Sequence, residues 1–242
     1  MHPKIKFKSD YKKDIKTFSC FVRDAKYDNG RTLEWAIFRK YHSLKKYKIN
    51  KTIKIKPKEI ELFVKNIYQK NKSLIKNNLS VHKTNWRKKE KTFYALVKKL
   101  FQDKFWPKGK YIAYPTIWGM FPRFLNDKTF QIPYKHKNKE YVNVVIAHEI
   151  LHFIFYNYFF KKYPKYKNDK FSFLVWHISE IFNSIIQNSP QWLKIFKNKL
   201  KTYPEHKKII AKLKGKYHRK EGWQTDDLIT DILKIVNATI NY

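Results

Sequence analysis

Apolar residues recur along this chain at two periods, and the switches between them mark its elements. Lys4-Ile5-Lys6-Phe7-Lys8 and Lys51-Thr52-Ile53-Lys54-Ile55-Lys56 alternate charged and apolar positions, the two-residue period of an exposed strand. Asp28-Asn29-Gly30 is a turn signal, and Leu33, Trp35, Ile37, Phe38, Tyr41 and Leu44 after it suit an amphipathic helix. Pro57-Lys58-Glu59 opens a second helix with Ile60, Phe63, Val64, Ile67 and Leu74 on its inner side. Asn85 can cap a third, whose Phe93, Leu96, Val97, Leu100 and Phe101 recur at helical spacing until Pro107-Lys108-Gly109. Tyr111-Ile112-Ala113-Tyr114 and Thr129-Phe130-Gln131-Ile132 read as strands, each stopped by a proline as edge strands often are. Helices then follow near 141–160, 171–187, 190–200, 203–214 and 225–239.

The fold expected is α+β, rich in helix, with a small sheet preceding a long buried helix. No repeat or Gly/Ser linker divides the chain. A boundary near residue 80 would separate a mostly helical region, 1–80, from a second region, 81–242. Val142 to Phe160 is long and apolar enough to cross a bilayer on length alone. His148, Glu149 and His152 near its centre would be costly in hydrocarbon, so a buried helix without a membrane span is expected.

Composition narrows the class. The 242 residues carry 54 Lys+Arg against 19 Asp+Glu, a net charge of +35, yet 43% are hydrophobic and 18% aromatic. A disordered polycation lacks that apolar content. Nearly all the excess is lysine, and Asn, Ile, Phe and Tyr are abundant, as a low-GC genome would produce. A surface this basic still binds nucleic acid weakly at low salt. Cys20 is the sole cysteine, so no internal disulfide can form. The N-terminal residues have no apolar run behind their charge, and a cytoplasmic location is expected.

The chemistry concentrates at Ile146-Ala147-His148-Glu149-Ile150-Leu151-His152-Phe153-Ile154, an H-E-x-x-H pattern on a helix. Histidines at i and i+4 share one face about 6 Å apart along the axis, so both imidazoles can reach one metal ion. Glu149 is rotated off that line, suited to take a proton from water without being a ligand. With 9 His in the chain, the pattern arises by chance only about 0.01 times. A catalytic site needs a third protein ligand. Glu180, on the second apolar helix and 28 residues after His152, is the favoured candidate, because coordination relieves a carboxylate stranded among apolar residues. His177, one turn earlier, and Asp169 compete for the role. Whichever of Glu180 and His177 is not a ligand, with Asn183 and Ser184, is placed to hydrogen-bond a ligand's other atom.

These residues resemble the zincin metallopeptidases, and within them the thermolysin-like gluzincin branch, over about residues 110–190. Val145, Ile150, Leu151, Phe153 and Ile154 agree with the extended motif. The resemblance implies one Zn²⁺ per chain held by His148, His152 and Glu180, and Glu149 as general base. It implies a peptide or protein substrate paired with an edge strand at Phe130, Gln131 and Ile132. Phe155 and Tyr158 break the metzincin continuation, and Cys20 is too far upstream to act as in peptide deformylase. Four late residues are candidates for an extra transition-state donor: His206, His218, Tyr203 and Tyr217. The alternative function is a nucleic-acid-associated basic protein with a structural or inactive metal site, motivated by the charge, by Trp86-Arg87-Lys88-Lys89 and by the many aromatics.

Overall fold

A computed structural model describes residues 2–24, 33–49, 52–102, 105–219 and 223–239. The turn expected at Asp28-Asn29-Gly30 lies outside them. The fold is α+β and helix-rich, with a four-stranded sheet whose last strand precedes the long helix carrying His148. The elements are β1 (Ile5–Phe7), α1 (Tyr11–Phe18), α2 (Trp35–Phe38), β2 (Lys48–Ile49), β3 (Thr52–Ile53), α3 (Pro57–Lys70) and α4 (Lys72–Phe101). They continue with β4 (Tyr111–Thr116), β5 (Arg123–Phe124), β6 (Thr129–Pro133), α5 (Lys139–Lys162), α6 (Ser172–Gln187), α7 (Pro190–Phe196), α8 (Lys207–Arg219) and α9 (Thr225–Thr239).

The chain divides into two compact units interleaved in sequence. One comprises Lys4–Thr84 and Lys110–Val142; the other comprises Met1–Pro3, Asn85–Gly109 and Asn143–Tyr242. Residues 110–142 group with Lys4–Thr84 in the first of these. The boundary near 80 falls inside α4, which runs unbroken through Asn85, so Asn85 caps nothing. Leu74 belongs to the first turn of α4 and is 40% exposed, so it does not extend the inner face of α3.

In the first unit the sheet order is β1-β4-β6-β5, with β1/β4 and β4/β6 parallel and β5/β6 antiparallel. Pro115 sits within β4, but β1 pairs only with Tyr111, Ile112 and Ala113, so the missing N–H breaks no ladder. Strand β6 is interior, which corrects the expectation of an open substrate-binding edge at Phe130, Gln131 and Ile132. Strand β4 pairs one side, while β5 and the Pro122 carbonyl, 2.9 Å from the Gln131 amide nitrogen, take the other. Backbone N–H groups alternate sides along a strand, and the next one facing β5's side would be that of Pro133, which has none. All three side chains are buried.

Gln131 instead completes a buried network around Asp14. The Asp14 carboxylate accepts from Thr116 Oγ1 (2.5 Å), Gln131 Nε2 (2.9 Å), Tyr68 OH (2.8 Å) and the Ile117 amide (3.0 Å). Thr17 Oγ1 donates to Gln131 Oε1 at 2.7 Å and sets the amide's orientation. One acidic side chain thereby ties α1 and α3 to β4 and β6. The short α2 is held by another close approach, Gly119 N to Ala36 O at 2.9 Å, where a Cβ on Gly119 would lie 2.7 Å from that oxygen.

In the second unit α6 is the axis, buried at nearly every position from Leu174 to Gln187. Residue numbers rise along α5 as they fall along the facing α6 (Val144 with Gln187, Phe155 with Phe182), so the two helices are antiparallel. Helix α9 is pinned by Asp226, which accepts from Tyr158 and Lys162 of α5, and by Asp231, which accepts from Tyr217 and Lys216 of α8. Helix α7 stops at Phe196, short of the expected 200, because Lys197 turns left-handed at φ 56°. Among the described residues no helix is long and apolar enough to cross a membrane.

Burial pushes the Asp14 carboxyl up to about 6, although Thr116, Ile117, Tyr68 and Gln131 all donate to it. The native state therefore holds this proton more tightly than the unfolded chain. The contribution to stability is fully present below about pH 4 and declines as the pH rises through 6. Asp14→Ala is expected to cost about 3 kcal/mol in urea unfolding by orphaning buried donors. It should also abolish this pH-dependence.

Candidate metal centre

Two antiparallel buried helices bring the sequence motif and its distant carboxylate together. Residues His148 and His152 share one face of α5, and Glu180 approaches from α6. His148 Nε2 lies 3.0 Å from His152 Nε2 and 3.1 Å from Glu180 Oε2, and His152 Nε2 lies 3.3 Å from Glu180 Oε1. The side chains of His152 and Glu180 are 0% and 3% exposed, and that of His148 is 12% exposed, so the group meets solvent chiefly past His148. These three form the one group of three or more His, Cys, Asp or Glu among the described residues whose ligand atoms converge closely enough to hold a metal ion.

The spacing fits a shared ion. Tetrahedral coordination at about 2.0–2.1 Å from each donor puts the donors about 3.3 Å apart. At 3.0 Å the two ring nitrogens are close enough to share one proton or one cation. Two nitrogens and one carboxylate oxygen are also the donor types that borderline divalent metals take.

Electrostatics hold the three groups together. Burial opposes a charge on the His148 imidazole, but the Glu180 carboxylate beside it, helped by Glu149 and Gln187, raises its pKa above the ordinary value. Burial also works to raise Glu180, yet His152 and His148 outweigh it and hold that carboxyl well below its usual range. The carboxylate is ionised and committed to the two imidazoles.

Gln187, which the sequence reading did not single out, orients the first histidine. Its Oε1 lies 2.8 Å from His148 Nδ1, and its Nε2 donates to the Val144 carbonyl at 3.2 Å. Because the amide nitrogen faces a carbonyl, the oxygen faces the ring. Nδ1 is then the protonated nitrogen, which leaves the Nε2 lone pair for a ligand. A signal for Gln187 existed: Glu180, Asn183, Ser184 and Gln187 recur at i, i+3, i+4 and i+7, a polar stripe on an otherwise apolar helix.

The other candidates are placed elsewhere. Asn183 Nδ2 reaches the backbone oxygen of His148 at 3.4 Å, bracing the helix and not the ring. His177 is not part of the group: its Nδ1 lies 2.6 Å from His206 Nε2, inside a box of Phe173, Trp176 and Tyr203 rings. Asp169 is exposed on the loop before α6. Of the proposed late donors, Tyr217 is engaged by Asp231, His218 Nε2 lies 2.8 Å from the Ile185 carbonyl oxygen, and Tyr203 is 42% exposed. His206 is near enough to Glu180 for that carboxylate to act on its charge. Glu149 is buried one position after His148, and its charge reaches that imidazole.

No family model, characterised protein or solved structure matches the chain. The centre therefore stands on its geometry.

Removing the brace on His148 should weaken metal binding without dissolving the fold. Gln187→Leu is expected to lower affinity for added Zn²⁺ about 10- to 100-fold in a chelator competition. Gln187→Glu, which keeps the acceptor, should stay near the parent value.

Proposed function

We propose that this chain is a zinc-dependent peptidase of the gluzincin type, with His148, His152 and Glu180 as ligands and Glu149 as general base. The observation that carries the reading is the convergence of three donors at the spacing of a shared ion, with the Glu149 charge acting on His148. When bound, zinc supplies a Lewis acid that lowers the pKa of water and polarises a carbonyl.

The chain's own residues supply the rest. Gln187 holds His148 in the tautomer that presents Nε2. The low-dielectric walls of α5 and α6 strengthen each charge interaction within the site. One Glu149 carboxylate oxygen takes the proton from the attacking water and passes it to the leaving amine nitrogen, the usual division of labour for a positioned base. The substrate class is a peptide or protein. With β6 paired on both sides, an extended substrate needs a docking surface other than that strand.

Protein purified without added metal is expected to carry about one zinc per chain. Glu149→Gln should keep that zinc while peptide hydrolysis falls by at least about 100-fold. Full activity in Glu149→Gln would reject the catalytic assignment. Metal-free protein whose melting temperature and activity are both indifferent to added zinc would reject the centre itself.

A further inference from the structure

The aromatic expected to stack on bases, Trp86, is not available to do so. It is 0% exposed, packed edge-on against Phe93, with its indole nitrogen on Glu90. Arg87 pairs with Glu90, and Lys89 donates to the Ile195 carbonyl. Trp35 shows the reverse. It belongs to the apolar pattern that suits an amphipathic helix, yet in α2 it is 57% exposed while Ala36, Ile37 and Phe38 are buried.

Trp35 lies on a groove of about 480 Å³ lined by Glu34, Trp35, Phe38, Arg39, Lys45 and Lys48. Arg39 follows Trp35 by four residues in continuing helical backbone, so the two share one face and both line the groove. The single acid in the lining, Glu34, is occupied by Lys48. Among the described residues Arg39 and Lys45 make no ion pair, unlike Lys48. We propose that this groove binds single-stranded nucleic acid, with an unpaired base stacked on Trp35 and flanking phosphates on Arg39 and Lys45.

Three features select that ligand. Duplex DNA keeps its base faces stacked internally, so only an unpaired base can cover the indole. A free nucleotide site would enclose most of its ligand, whereas an indole exposed on an open groove covers only one face. A chain of phosphates can also meet further cations of a chain whose net charge is +35, which a lone nucleotide cannot. The arginine is informative in a protein whose cations are nearly all lysine, because its planar fork both stacks and pairs with phosphate. The proposal is independent of the metal centre.

The test is fluorescence anisotropy of the full chain with a labelled oligothymidine of about 12 nucleotides at about 0.15 M salt. Trp35→Ala should weaken binding between about 5- and 100-fold, the range of one base–aromatic stack. Trp35→Phe should retain most of it. Arg39→Glu should lose far more affinity than Lys212→Glu, an equal charge change at an exposed lysine of α8. Melting temperatures near the parent value confirm that these surface variants fold. The proposal is overturned by any of four results: no binding at this salt, Trp35→Ala equal to parent, equal losses in Arg39→Glu and Lys212→Glu, or duplex bound as tightly as single strand.

Discussion

The second unit is organised around one electrostatic constraint: an ionised carboxylate buried on an apolar helix must find positive charge within hydrogen-bond distance. Glu180 finds it in the imidazoles of His148 and His152. Leaving such a charge unpaired costs several kcal/mol, more than any single packing contact in the unit returns. The antiparallel pairing of α5 and α6 brings these groups together, and Gln187 bridges the His148 ring and the Val144 carbonyl beside them. A divalent cation answers it better than a proton, because one ion satisfies all three donors together.

The helices were legible where hydrophobic period and punctuation agree. Helix α9 begins at Thr225 with Asp226 and Asp227 in its first turn and ends at Thr239, matching the expected span. Helix α6 and the apolar stretch of α5 were equally clear, because both are long and apolar at nearly every position. The metal group was readable because the i, i+4 histidine spacing is a local geometric fact, and because a lone glutamate on an apolar helix announces a missing partner. Gln187 escaped because an amide carries no charge, and its necessity appears only when a particular ring faces it.

Other failures have a common physical source. Periodicity gives a helix two faces but not which of them a neighbouring element covers. Trp35 and Trp86 show this most plainly: one sits in a helix too short to bury all its sides, the other in the middle of a 30-residue helix packed by Phe93. The prolines bounding β4 and β6 suggested edges, but in β4 the neighbouring strand simply ends before Pro115. The two-residue β5, which closes the second side of β6, is too short to leave any alternation in the sequence.

Strand β1 pairs with β4 in the register Ile5 to Tyr111, so it is completed by a strand that leaves the ribosome about a hundred residues later. Loop closure over that distance is slow relative to helix formation. During synthesis β1 is made well before this partner. Its alternating lysines, Lys4, Lys6 and Lys8, are well suited to that interval, since charge on an open edge discourages pairing with a neighbouring chain. A lysine pattern that reads as compositional drift in the finished protein thus becomes, on the timescale of translation, a guard against aggregation.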